Sequence, residues 1–173
     1  MRYLVIFLIT LFIFIIVFKN FNSISGNITY VEIDTIKYKV WNDEKQIDKA
    51  NILHECNTRV IKLLDYFKSN NYFNNDDIKK LCKNYNSENL CETFEKGYTA
   101  YTENKGTQVS LCLTNTDGNL VDINTALFVL IHELSHIMTK ETGHPPIFWE
   151  NMKKLLIYAI DNNIYIYRDY TVD

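Results

Sequence analysis

The stretch Ile131–Trp149, IHELSHIMTKETGHPPIFW, carries three of the chain's four histidines within thirteen residues. His132 and His136 are four apart, so on a helix both imidazoles leave the same face, with Cβ atoms about 5–6 Å apart. That spacing lets two ring nitrogens reach one zinc ion at about 2.0–2.1 Å. Glu133 follows the first histidine and can lean over a water activated by the metal, taking its proton as general base. A catalytic zinc needs a third protein ligand and an open fourth position. His144 is the expected third ligand, because Gly143 can end the helix and let the chain turn back over the metal. Glu150 and Glu141 compete for that place. Glu150 stands closer to His136 than a second-helix glutamate normally does, and Glu141 would still be on the first helix.

A buried helix that happens to carry histidines is the alternative. Three features argue against it. The histidines lie opposite the apolar stripe Leu127, Leu130, Leu134 and Ile137; the helix has a capping residue in Asp122 or Asn124; and a third histidine follows the glycine. This helix is expected to run to about Thr142. Pro145 pushes His144 toward extended backbone, and Pro146 suits the first turn of a further helix whose apolar stripe is Phe148, Met152, Leu155, Leu156 and Ala159.

Upstream, Tyr98–Thr102 and Thr107–Thr114 read as two strands joined across ENKG, with Gly106 free to take positive φ. The second of these is expected to offer its edge to an extended peptide, as exposed strands do. Residues 28–41, ITYVEIDTIKYKVW, are β-branched and aromatic and read as a strand or two. Asp43 and Gln46 suggest a capping box ahead of an amphipathic helix of about six turns through Leu53, Cys56, Val60, Leu63 and Phe67. His54 flanks that stripe without a ligand partner one turn away. Asp76 can cap a shorter helix reaching about Tyr85.

The N-terminus differs in kind. Tyr3–Phe18 holds sixteen residues without a charge, bracketed by Arg2 and Lys19. As a helix it spans about 24 Å, and the flanking cations can snorkel to the headgroups of a hydrocarbon core about 30 Å thick. Residues 1–26 are therefore expected to be a single-pass membrane anchor and tether, in a host or virion membrane, and residues 27–173 the working domain. A cleaved signal peptide, which would make the protein secreted, is the alternative. The positive charges on the two sides do not decide which way the anchor points. A net charge of −3 supplies no basic stripe for nucleic acid, so no nucleic-acid partner is expected. Cys56, Cys82, Cys91 and Cys112 fit two disulfides or four reduced thiols, and none forms a C-x-x-C pair.

HELSHIMTKETGHPPIFW resembles the WLM and SprT-like small zinc metallopeptidases, in which H-E-L-x-H is followed at short range by a third histidine and an apolar or aromatic pair. His132, Glu133, His136 and His144 take the motif positions, with Phe148 and Trp149 behind them. The longer stretch from Tyr98 through Met138 is similar to metallopeptidase-like proteins of large DNA viruses. The resemblance implies a compact α+β fold of the minimal zincin type: a long N-terminal helix, a small sheet with a hairpin, the HExxH helix and a C-terminal helix. Metzincins are excluded, since Thr139 and Thr142 stand where they carry glycine and histidine. The DNA-repair role of WLM and SprT-like enzymes does not carry over to an acidic chain with a membrane segment.

The expected activity is zinc-dependent hydrolysis of peptide bonds, with a peptide or protein as substrate, zinc on His132, His136 and His144, and Glu133 as base. The alternatives are a zinc hydrolase of a non-peptide amide and a non-catalytic membrane or virion protein with a structural zinc.

Overall fold

The computed structural model describes residues 27–70, 75–95 and 97–169. The expected anchor at residues 3–18 lies outside them. Among the described residues no helix is long and apolar enough to cross a membrane.

The architecture is α+β. Strands β1 (Ile28–Ile33) and β2 (Ile36–Trp41) form an antiparallel hairpin closed by Asp34 and Thr35, both at positive φ, as a two-residue turn of matching twist requires. Helix α1 (Gln46–Ser69) follows and buries Leu53, Cys56, Val60, Leu63 and Phe67 at helical spacing. The capping box does not form there. Asp43 stands ahead of the helix, where its carboxylate accepts from the Lys45 amide and the Lys49 ammonium, so α1 starts without a side-chain cap. Helix α2 (Asp76–Asn84) takes Asn75 as its cap, one residue before the Asp76 expected for that role.

A second sheet holds β3 (Leu90–Glu92), β4 (Ala100–Glu103) and β5 (Gln108–Leu111) in the order β3-β5-β4, with β3 parallel and β4 antiparallel to β5. The strand from the 107–114 region is thus the central one, paired on both sides. It has no free edge to offer a peptide, contrary to expectation; the edge strands are β3 and β4, and β4 is the one that borders the helix carrying His132 and His136.

Helices α3 (Ile123–Met138) and α4 (Pro146–Asp161) complete the fold. Asp122 caps α3 by accepting from the amides of Asn124 and Thr125, and Pro146 opens α4 at its first turn. One continuous core joins α1 (Leu53, Phe67), α3 (Leu127, Leu134) and α4 (Phe148, Leu155) to the sheet through Val109 and Leu111. Helix α3 stops at Met138, four residues short of the expected Thr142. Its end is fixed by tertiary contacts: Lys80 donates to the Met138 carbonyl and Lys105 to that of His136, while buried Thr139 accepts from Asn151 of α4.

Candidate metal centre

Helix α3 points His132 and His136 out of the face opposite its buried leucines. The chain then passes Gly143, at φ +75°, and brings His144 back over them. A Cβ added to Gly143 would meet nothing within 4 Å, so the backbone conformation and not crowding is what favours glycine there. The Nε2 atoms of His144 and His132 approach to 3.0 Å. One ligand atom from each of the three histidines lies within 4.8 Å of the others. Two nitrogens on a tetrahedral zinc stand about 3.3 Å apart, so this set fits the ion with small side-chain adjustment. The competing carboxylates, Glu141 and Glu150, are exposed and fall outside the cluster.

Phe148 makes the floor. Its fully buried ring meets His132, His136 and His144 at centroid distances of 4.9, 4.5 and 4.6 Å. Trp149 stacks on His144 at 5.6 Å. Burial lowers the pKa of His132 and takes that of His136 down to about 4, with the neighbouring imidazoles and Lys105 adding to the effect on His136. These rings are therefore held neutral, the form that binds a metal.

Glu133 is 3% exposed, and burial pushes its pKa up; a hydrogen bond from Thr102 on β4, with Oγ1 2.7 Å from Oε2, works in the opposite direction. A carboxylate raised in this way is a stronger base than an exposed one, as proton transfer requires. The three histidines and Glu133 face a cleft of about 550 Å³ whose opposite wall is β4 and the turn after it. Tyr98 and Tyr101 also line that wall. Gly106, at φ +114°, lets this turn press against the end of α2: an added Cβ there would lie 2.8 Å from the Asn84 carbonyl. That close seat places Lys105 over the end of α3, where it donates to the carbonyls of both His136 and Glu141.

Thr102 and Lys105 escaped the sequence reading. Hydroxyls and lysines are common in hairpins, and only the packing of β4 on α3 singles these two out. His54 lies apart from the cluster, between the Tyr38 hydroxyl at 3.3 Å and Asp34 at 3.4 Å. All four cysteines are free thiols.

No protein-family model matches the chain, and no solved structure matches it. It is 34% identical over 74 residues to an uncharacterized protein of Invertebrate iridescent virus 6, covering 41% of each chain. It is also 34% identical over 159 residues to an uncharacterized protein of Acanthamoeba polyphaga mimivirus, covering 84% of this chain and 77% of that one. With its α+β fold and clustered histidines, the chain belongs to the family of viral proteins that includes this mimivirus protein.

Proposed function

We propose that the protein is a zinc-dependent metallopeptidase of the minimal zincin type, similar in its site to the WLM and SprT-like enzymes. The observation that carries this reading is the approach of three imidazoles to one another at a cleft where a buried carboxylate also sits. Three nitrogen ligands leave a fourth position open, and a structural zinc would normally close it with a protein ligand and keep no spare base. Zinc held by His132, His136 and His144 would supply Lewis-acid polarisation of a carbonyl and an acidified water.

The remaining work falls to the chain. Glu133 takes the proton of the attacking water and returns it to the departing amine. Thr102 holds one carboxylate oxygen so that the other faces the cleft. The outer edge of β4 favours a peptide over a small amide as substrate. The Thr99 carbonyl accepts from the Cys112 amide, so the alternation of an antiparallel ladder directs the backbone groups of Tyr101 toward β5 and those of Ala100 and Thr102 outward. An extended chain can pair with that edge. In the same proposal residues 3–18 tether the domain to a membrane.

Metal analysis and peptide digestion test it together. The purified chain should carry one zinc per molecule and cleave a peptide library. His132→Ala and His144→Ala should lose the metal; Glu133→Gln should keep it and lose about 10²–10⁴-fold in turnover, the range of a general base. Absence of bound zinc, or undiminished turnover in Glu133→Gln, would overturn the reading.

A further inference from the structure

Beside the histidine cleft runs a second cavity of about 340 Å³, lined mostly by apolar and aromatic side chains, with Lys153 and Arg168 also on its wall. Phe128 of α3 forms one side, and Trp149, Met152, Leu156 and Ile160 of α4 form most of the other. Two residues tie it to the candidate metal centre. Phe128 is one helical turn before His132, so its side chain emerges about 5–6 Å from that ligand along the same face. Trp149 lines the cavity while its indole stacks on His144 and lies 6.4 Å from the His132 ring. The indole thus touches both the recess, which it lines, and a histidine of the cluster, on which it stacks. It is 55% exposed, and Ile157, also on the cavity wall, is 46% exposed, so the recess opens to solvent.

The size of the cavity selects its occupant. A volume of about 340 Å³ sits at the lower end of small-ligand sites and accepts one or two side chains. A stable interface between two copies would bury about 800 Å² on each partner, far more than this recess offers. Its position beside the ligands also matters. An extended peptide advances about 3.3 Å per residue, so a substrate lying across His132 reaches the recess within about two or three residues of the bond at the metal.

The structure assigns this recess to the substrate: we infer that it takes a bulky apolar side chain, leucine, phenylalanine or larger, two or three residues from the scissile bond. This deepens the peptidase reading and rests on it. Trp149 and Ile157 act as specificity-determining residues, while Phe128 forms the inner wall.

Two measurements on the full chain separate this inference from the reading beneath it. The first is cleavage of a peptide library with every residue sampled at each of three positions on both sides of the cut. The wild type should show at least a tenfold preference for bulky apolar residues at one position. Ile157→Glu should erase that preference with zinc content unchanged, and a lysine-bearing peptide should gain. The second measurement needs no turnover. The chain has only two tryptophans, so Trp41→Phe in the Glu133→Gln background leaves Trp149 as sole reporter. Its emission should shift to the blue on titration with a leucine-rich peptide, but not with the matching serine peptide.

Cleavage without side-chain preference, or an Ile157→Glu profile equal to wild type, would overturn the inference and leave the peptidase reading standing. A blue shift with no cleavage by the wild type would do the reverse for the peptidase reading and would retain the recess as a peptide site. A full chain that is dimeric and becomes monomeric on Ile157→Glu would show that the recess is covered by a second copy, and would overturn the inference.

Discussion

Two glutamates in this protein are buried almost equally, Glu92 at 2% exposure and Glu133 at 3%, and their surroundings could hardly differ more. Glu92 sits where the hairpin meets α1. One oxygen takes the Lys49 ammonium at 2.8 Å, the other the Trp41 amide at 2.7 Å, and Asp43 holds the same ammonium at 2.6 Å. Its charge faces a cation and directed donors, which oppose the upward push that burial gives its pKa, as it does that of Glu133. Glu133 receives one hydrogen bond from a neutral hydroxyl, with the histidine cluster nearby. The first arrangement binds strands to helix. The second leaves a charge under-compensated at the wall of an open cleft, and a group that gains on meeting a cation is suited to chemistry.

Breaking each site should expose this contrast. Lys49→Met removes the cation shared by Glu92 and Asp43, leaving a buried carboxylate without its ion pair. The expected cost is about 3–5 kcal/mol of folding stability, read by urea denaturation. Glu133→Gln should leave the stability of the metal-free protein unchanged or slightly higher, because it neutralises a charge that burial disfavours. Equal losses in the two variants would erase the distinction.

Removing the metal is the next largest effect. Zinc at one hundred times its dissociation constant should stabilise the wild type by about 2.7 kcal/mol, an increment visible in thermal melts, absent in His132→Ala and retained in Glu133→Gln.

Acidity separates the regions in another way. The pKa of His136 falls from 6.5 in the unfolded chain to about 4 in the fold, chiefly through burial. The unfolded state therefore binds the proton first, and metal-free stability should decline as pH drops from 6.5 to about 4. His136→Ala should flatten that segment of the stability curve. Identical curves for the wild type and His136→Ala would contradict the burial of the ring.

The smallest effect belongs to Gly143. Placing alanine at its positive φ should cost about 1–2 kcal/mol, drawn from the conformation that returns His144 to the cluster, and should weaken zinc binding by about 5–30-fold. Calorimetric titration with zinc reads it.

The histidine cluster was legible in the sequence because its information is local. A four-residue interval on a helix, a glycine and a third histidine one loop later are geometric statements that need no knowledge of the rest of the chain. Helix identities were legible for the same reason, since apolar spacing reports a buried face. What escaped was set by contacts distant in sequence. Helix α3 ends at Met138 because lysines from α2 and from the β4–β5 turn, together with Asn151, hold its last carbonyls and the residue after it. Strand β5 is central because Leu90–Glu92 arrives on its far side, and three residues carry too little pattern to announce a strand. The Glu92 network joins positions 43, 49 and 92, and lysine at helix position 49 reads as a solvated charge until the fold buries it.

Phe148 and Trp149 are neighbours on one helix, yet the first supports all three histidines from below and the second walls the apolar recess. Any turn or slide of α4 that reshapes the recess also tilts the platform beneath the ligands. Under the proposed function, a change in α4 that alters side-chain preference would also alter metal affinity, whereas a change on β4 and its turn could alter preference alone.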